Sequence, residues 1–159
     1  FQKYALFPHL NVAENIGFGL NLKKVDKTVI AQKVERMLKM VGLEGFGKRD
    51  VTLLSGGQQQ RVAIARALAK KPEVLVFDDS FSALDYKTDA ALRAELNGKL
   101  SGTTKIIVAQ RISTIRHADE IIVLDRGEAV GIGTHDELMH SCTVYQEIAR
   151  SQLSAAELA

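Results

Sequence analysis

The most informative stretch of the chain runs Leu54-Ser55-Gly56-Gly57-Gln58-Gln59-Gln60-Arg61. Ser55 and Gln58 have the S-x-x-Q spacing of a capping box, in which two side chains satisfy backbone groups at a helix start. The glycines between them allow another surface to approach the backbone closely. Free N–H groups and the positive end of the helix dipole attract anions there. The stretch predicts a helix whose first turn can bind phosphate, although the capping box alone fits a helix without a ligand better.

Length and composition are those of an ordinary globular chain. The 159 residues suit one domain or a large piece of one, with 46% hydrophobic and 25% charged residues. The formal net charge is +2 and there is no basic stripe, so we expect no nucleic acid partner. The single cysteine, Cys142, excludes an internal disulfide, and we expect it to be a reduced structural thiol. No apolar run approaches the roughly 18 residues that span a bilayer, so we expect membrane contact only through a partner or a segment outside this chain.

Hydrophobic periodicity changes near Pro72. Before it the pattern is helical, and after it short β-branched runs alternate with helical stretches, which predicts an α/β fold with a mainly parallel sheet. The predicted helices are Val12–Leu20, Lys27–Val41, about Gly57–Lys70, Thr88–Leu100, Ser113–His117, His135–His140 and Val144–Leu153. We expect Asn11 to cap the first helix, Gly17 and Gly19 to weaken its end, and Gly42 to stop the second. The predicted strands are Glu73–Asp78, Lys105–Ala109, Glu120–Asp125 and Glu128–Gly133. The first three are expected to be buried, and the last to be an edge strand after a turn at Arg126-Gly127.

The helix start resembles a known motif once its continuation is included. The octapeptide is followed by Val62-Ala63-Ile64-Ala65-Arg66-Ala67-Leu68, and together they resemble the signature of ATP-binding cassette (ABC) ATPases. In that family the motif contacts the γ-phosphate of ATP held by the opposite subunit of a head-to-tail dimer. The resemblance implies an ATPase subunit of a membrane transporter, with ATP bound at the first turn of this helix. The implied ATP-binding residues are Ser55, Gly56, Gly57 and Gln58.

The same resemblance implies a fold of the P-loop NTPase type and a division of the chain into two parts. Residues 1–71 correspond to the Q-loop and the helical signature subdomain. Residues 72–159 correspond to the C-terminal part of the RecA-like ATPase core, with the Walker B strand, the D-loop and the switch region.

Two carboxylates, Asp78 and Asp79, end the hydrophobic strand that begins at Glu73. Ligands of α/β sheets bind at the carboxyl ends of strands, where one carboxylate can hold Mg²⁺ and a neighbour can activate water. Alone, the pair is an ordinary Asp-Asp turn, but its distance from the signature helix resembles the Walker B strand. The resemblance implies that Asp78 organises Mg²⁺ and that Asp79 is the catalytic base, where relatives usually have Glu. Because Asp is one methylene shorter, we expect slow hydrolysis.

Two further positions belong to the implied nucleotide site. Gln110 follows the strand Lys105–Ala109, where the family usually has a His that contacts the γ-phosphate. An amide can donate a hydrogen bond to phosphate but cannot carry the charge of an imidazolium. Asp85 ends the stretch Ser82-Ala83-Leu84-Asp85, which resembles the D-loop, a dimer-contact element.

The chain begins with residues that resemble the Q-loop, Phe1 to His9. The resemblance implies that Gln2 approaches the metal and the attacking water, and that Tyr4, Leu6 and Phe7 suit a coupling helix of a permease. Because the chain starts inside this motif and contains no G-x-x-x-x-G-K-[ST], we expect a fragment without the P-loop. We expect the 159 residues alone neither to bind ATP tightly nor to hydrolyse it.

The implied assembly contains ATP and Mg²⁺, a transmembrane permease and a second nucleotide-binding subunit, at the cytoplasmic face of the cell membrane. The resemblance is importer-like in residues 1–71 and exporter-like in residues 73–153. A hybrid lineage, a recombinant and a misassembled sequence all remain open as explanations of this mixture.

Two alternative functions remain open. The altered positions Asp79 and Gln110 fit the non-hydrolysing regulatory half of a heterodimeric exporter, whose intact signature serves the partner's site. A soluble ABC-type ATPase acting on DNA or ribosomes is the other alternative. Relatives that act on DNA carry a long coiled coil, and the segment from Gln2 to Ser55 is short and has no sustained heptad pattern.

Overall fold

The computed structural model describes residues 5–78, 98 and 102–153. The chain forms two compact units, unit 1 with Phe1–Ile106 and unit 2 with Ile107–Ala159. The division predicted at residues 71 and 72 separates groups of motifs and stays a prediction.

The described part of unit 1 contains a bundle of helices. They are α1 (Val12–Leu22), α2 (Lys27–Met40) and α3 (Gly56–Ala69), and a 3-10 turn, Val51–Leu53, precedes α3. Each helix contacts the other two. Their shared core consists of buried aliphatic side chains, including Val12, Ile16, Leu38 and Val62.

Local signals explain where α1 and α2 begin and end. Asn11 caps α1 in a reciprocal capping box with Glu14, as predicted for this position. Asp26 caps α2 and accepts hydrogen bonds from two backbone N–H groups of its first turn. The left-handed backbone of Gly42, with φ of 63°, follows the end of α2 and confirms the predicted stop.

Helix α1 is longer than predicted, because Gly17 and Gly19 do not weaken its end. The helix continues through both glycines to Leu22. A Cβ at Gly17 would lie 3.0 Å from Cγ2 of Ile30 on α2, and one at Gly19 would collide with the side chain of Lys70. The glycines let neighbouring groups pack closely against α1, and this packing outweighs their low helix propensity.

Two strands follow the helices. They are β1 (Val74–Asp78) and β2 (Thr104–Val108), which pair in a two-stranded sheet. The N–H of Thr104 donates to the carbonyl of Glu73 at 2.9 Å, at the start of the pairing.

Only one face of β1 is buried, so its prediction as a fully buried strand was wrong. Leu75 and Phe77 are buried, whereas Val74 and Val76 are more than half exposed. Successive side chains of a strand point to opposite faces, so a covered face leaves alternate residues in solvent. The prediction of a buried β2 was also wrong, since its apolar residues Ile106 and Val108 are about half exposed.

Unit 2 contains an antiparallel strand pair, β3 (Ile121–Asp125) and β4 (Glu128–Gly133). Arg126 and Gly127 connect them, and both have positive φ, at 49° and 87°. Two successive residues with positive φ are typical of the tight turn that joins hairpin strands. The predicted turn and the predicted strand that follows it are confirmed.

Helices pack against this hairpin. They are α4 (Ile112–Ile115), α5 (His135–Ser141) and α6 (Thr143–Gln152). Thr134 and Glu137 form a capping box at the start of α5. The core of the unit is a cluster of buried residues, namely Ile112, Ile121, Val123, Leu138, Cys142, Tyr145 and Ala149. Cys142 is therefore a buried structural thiol, as expected.

The helices and strand pairs confirm the predicted α/β class. The predicted helix Thr88–Leu100 lies outside the described residues apart from residue 98. Across the ranges that are described, no helix could span a bilayer.

Candidate functional site

The start of α3 carries the capping box that the sequence predicts. The Ser55 Oγ accepts a hydrogen bond from the N–H of Gln58 at 3.3 Å. The Gln58 Oε1 accepts one from the N–H of Ser55 at 3.0 Å. The first intrahelical bond runs from the N–H of Gln59 to the carbonyl of Ser55 at 2.8 Å. These bonds fix the backbone on both sides of the two glycines.

Two backbone N–H donors at this helix start are not used by the capping box. The N–H groups of Gly56 and Gly57 have no acceptor among the residues that the structure describes. The first N–H groups of a helix point out of its end, towards solvent or a ligand. Gly56 is exposed and Gly57 is partly exposed. Adjacent N–H donors without a Cβ, at the positive end of a 14-residue helix, fit the oxygen atoms of a phosphate group.

Other residues of the signature stretch hold α3 in place. Arg61 donates to the carbonyls of Val41 and Gly42 at 2.9 and 3.1 Å, at the end of α2. The Gln59 Nε2 donates to the carbonyl of Val51 in the preceding 3-10 turn at 3.1 Å. The signature stretch therefore contains both the candidate anion site and the side chains that fix α3 to its neighbouring elements.

The 3-10 turn before α3 is itself capped. The Asp50 carboxylate accepts from the N–H of Thr52 at 2.8 Å and from the Thr52 hydroxyl. These hydrogen bonds favour the ionised carboxylate and lower the pKa of Asp50.

The end of the segment that resembles the Q-loop is fixed by Asn15, which is fully buried. Its Oδ1 accepts from the N–H of Phe7 at 2.9 Å. Its Nδ2 lies 3.1, 3.0 and 3.0 Å from the carbonyls of Phe7, Leu10 and Asn11. One amide thus holds the backbone that leads into α1.

Arg66 ties the same segment to α3. Its guanidinium donates to the carbonyl of Ala5 at 2.8 Å and lies 5.4 Å from the centre of the Phe7 ring. Ala5 has a φ of 47°, a conformation that costs an L-residue other than Gly about 1 kcal/mol or more. Arg66 lies eleven residues beyond Ser55, so α3 spans about 16 Å between the candidate anion site and this tether.

The residues expected to form the Mg²⁺ and catalytic site lie only partly within the described chain. Asp78 is the last residue of β1 and is exposed. Asp79, Asp85 and Gln2 lie outside the described residues, and their roles stay predictions. The described ranges hold no group of three or more His, Cys, Asp or Glu that could bind a metal. A single carboxylate at a strand end still suits Mg²⁺, which keeps several waters and usually takes only one or two protein carboxylates.

Gln110 lies in unit 2, between β2 and α4, with an exposed side chain. Its carbonyl accepts a hydrogen bond from Nε2 of Gln152 at 2.8 Å. The Oε1 of Gln152 accepts from the N–H of Ile112 at 2.9 Å. Sequence reasoning missed Gln152, since its partners lie 40 and 42 residues away and no local pattern marks it.

These features describe an α/β chain with a candidate anion site at a helix start and a carboxylate at a strand end. A profile of the ABC transporter family matches residues 1–82. The chain therefore belongs to the ABC transporter family.

Curated relatives extend this similarity. The chain is 48% identical, over 141 residues, to the spermidine/putrescine import ATP-binding protein PotA of Clostridium novyi (strain NT). The match covers 87% of this chain and 41% of the relative. A probable sulfate/thiosulfate import ATP-binding protein CysA of Chlorella vulgaris is 45% identical, with 87% and 60% covered. The chain thus spans about two fifths to three fifths of these relatives, and likeness to import proteins continues beyond residue 71.

Solved structures show the same fold. A dimeric ATP-binding cassette in a post-hydrolysis state, bound to ADP and Pi, is 35% identical with a TM-score of 0.77, covering 85% of this chain and 61% of that one. A bacterial Atm1-family ABC exporter with ATP bound is 32% identical with a TM-score of 0.83, covering 98% of this chain and 28% of that one. The predicted α/β fold with a parallel sheet, of the ABC ATPase type, is confirmed.

Proposed function

We propose that this chain is the ATP-binding part of an ABC transporter ATPase, and that the first turn of α3 contacts the γ-phosphate of ATP held by a second subunit. The observation that carries the proposal is the pair of N–H donors at Gly56 and Gly57, held between the two halves of the Ser55–Gln58 capping box. Fixed donors at a helix start stabilise phosphate charge without reorganising. The names of the import ATP-binding relatives support the same function.

The remaining site residues take the roles that the motifs suggest. Asp78 holds Mg²⁺ at the end of β1, and Gln2 completes the metal and water environment. Asp79 acts as the base, and Gln110 contacts the γ-phosphate as a hydrogen-bond donor. Asp85 contributes from the dimer interface. Mg²⁺ supplies charge neutralisation to the phosphates when it is bound.

We propose that the segment from Ala5 to Leu10 faces a transmembrane permease, which places the protein at the cytoplasmic face of the membrane. Asn15 and Arg66 support this role because they fix the segment on α1 and α3. Phe7 packs partly on Phe18, with ring centres 4.3 Å apart, so only part of its surface is available to a partner. The import proteins among the relatives favour solute uptake as the direction of transport.

The regulatory half of a two-subunit ATPase is the second candidate function. Asp79 and Gln110 both depart from the residue types that hydrolysis favours. In that case ATP binding at the first turn of α3 closes the dimer, and hydrolysis takes place at the partner's site.

The Gly57→Asp substitution in the full-length protein tests the proposed phosphate contact. An acidic residue in the first turn is favourable for the helix dipole, so α3 should remain folded. The carboxylate repels a phosphate at this position, and we expect ATP turnover by the assembled transporter to fall by roughly 10²-fold, about the effect of losing one oxyanion donor. Gly57→Asn is the matched neutral control and should lose far less. Equal turnover in the Asp and Asn variants would refute the phosphate contact.

A further inference from the structure

The last residue of α6, Gln152, uses both polar atoms of its amide on the loop that follows β2. Its Nε2 donates to the carbonyl of Gln110 and its Oε1 accepts from the N–H of Ile112. The two bonds, at 2.8 and 2.9 Å, lie on either side of Arg111.

This pattern copies the pairing of a neighbouring β-strand. A strand also accepts from the N–H of one residue and donates to the carbonyl two residues earlier. Arg111 accordingly has an extended backbone, with φ of −105° and ψ of 125°. The Gln152 side chain therefore holds the loop extended. This loop connects the end of β2 at Val108 to the start of α4 at Ile112 and contains Gln110.

These two hydrogen bonds of Gln152 are called the clamp below. The helix that carries Gln152 and the loop that it binds both pack into the core of unit 2. Tyr145 and Ala149 of α6 are buried in the same core cluster as Ile112. Ala149 lies one turn before Gln152, and the N–H of Leu153 closes the helix on the Ala149 carbonyl at 2.8 Å. Because α6 and Ile112 share a core, the helix that carries Gln152 is held next to the loop, while the Gln152 side chain itself is exposed.

We propose that Gln152 is a positioning residue, which holds the backbone from Gln110 to Ile112 so that the Gln110 side chain is presented to nucleotide. The role given to Gln110 rests on the proposed function. The clamp itself rests on the two hydrogen bonds and can be tested separately. Nothing in the motifs of the family points to this residue, which lies on the C-terminal helix.

Two substitutions separate the halves of the clamp in the full-length protein. Gln152→Ala removes both bonds, whereas Gln152→Glu keeps an acceptor for the Ile112 N–H and loses the donor to the Gln110 carbonyl. Gln146→Ala, on the same helix, is the control. The measurements are amide hydrogen exchange at Ile112 and the separate kcat and KM of ATP hydrolysis.

We expect Gln152→Ala to speed exchange at Ile112 by about 3- to 10-fold, the effect of one lost hydrogen bond. Gln152→Glu should keep the wild-type exchange rate at Ile112. Both variants should lower kcat several-fold with KM changed by less than about twofold, because a misplaced switch residue affects the transition state more than ATP binding. Gln146→Ala should change none of these quantities.

Wild-type exchange at Ile112 in Gln152→Ala would overturn the clamp. Faster exchange with an unchanged kcat would overturn its role in positioning Gln110. If the wild-type assembly neither binds nor hydrolyses ATP, the proposed function fails, and exchange at Ile112 still decides whether the clamp exists.

Discussion

Single amide side chains fix the backbone near both groups of candidate residues. In unit 1, Asn15 holds the segment from Phe7 to Asn11, and in unit 2, Gln152 holds the loop around Arg111. An amide suits this role because it carries a donor and an acceptor and no charge. The residues that carry the proposed chemistry are thus supported by neighbours that take no part in it.

Asp79 and Gln110 stand where the family resemblance implies a Glu and a His in the proposed site. We predict that Asp79→Glu with Gln110→His raises ATP turnover of the full-length assembly by about 10²-fold, the lower end of what a well-placed general base contributes. The measurement is steady-state phosphate release, with Gln110→Asn as a control that restores no imidazole. Unchanged turnover in the double variant would mean that other elements of the site are also defective.

Residues that act locally could be predicted from the sequence, and those that act over distance could not. Asn11 and Ser55 were recognised because their capping partners lie three residues away. Arg61 reaches carbonyls 19 and 20 residues away, and Arg66 reaches one 61 residues away. Such contacts depend on how helices pack, which no local pattern encodes.

At the scale of helices and strands, tertiary packing determined the helix lengths and strand burial that local sequence propensity does not specify. The end of α2 and the start of β4 agree closely with prediction because Gly42 marks the first and the Arg126–Gly127 turn marks the second. The extent of α1 was missed because close packing at Gly17 is a tertiary effect. The exposed faces of β1 and β2 were missed because a hydrophobic run does not show which of its faces is covered.

Helices α5 and α6 share a titratable contact, in which Nδ1 of His135, the first residue of α5, lies 2.8 Å from the hydroxyl of Tyr145 on α6. Burial, followed by the nearby charge of Arg116, lowers the pKa of His135 below its ordinary value of 6.5. His117 acts in the same direction and Asp136 opposes it. The fold therefore favours the neutral imidazole, so this stabilisation is present above pH 6.5 and is lost as the pH falls through the lower, folded pKa.

We predict that acidification from pH 7 to pH 5 lowers the melting temperature of the wild type more than that of His135→Gln, which cannot titrate. Tyr145→Phe removes the hydrogen bond but leaves the imidazole partly buried, so it should keep the wild-type pH dependence. Thermal unfolding followed by circular dichroism at several pH values measures both. Parallel pH profiles of wild type and His135→Gln would contradict the explanation.

At the scale of the whole molecule, the family could be predicted from the sequence more completely than the arrangement of the nucleotide site. The signature stretch is contiguous, so its helix, its capping box and its family could all be predicted, and the family profile bears this out. The nucleotide site combines residues from separate parts of the chain. Of these, Asp78 and Gln110 lie among the described residues, and Gln2, Asp79 and Asp85 do not.

The central claim, that the first turn of α3 binds nucleotide phosphate, is tested most directly by the backbone amides of Gly56 and Gly57. In the full-length protein, ¹⁵N-glycine with ¹³C-carbonyl glycine labelling selects Gly57, since Gly56-Gly57 is the one Gly-Gly pair in this sequence. ¹³C-carbonyl serine labelling selects Gly56 together with Gly102, and a Ser101→Ala variant removes the second signal. Saturating ATP with Mg²⁺ should shift both amide resonances downfield, because a phosphate oxygen then accepts their hydrogen bonds, while the exposed turn glycine Gly45 stays unchanged. Unmoved Gly56 and Gly57 resonances in protein shown to have ATP bound would contradict the account.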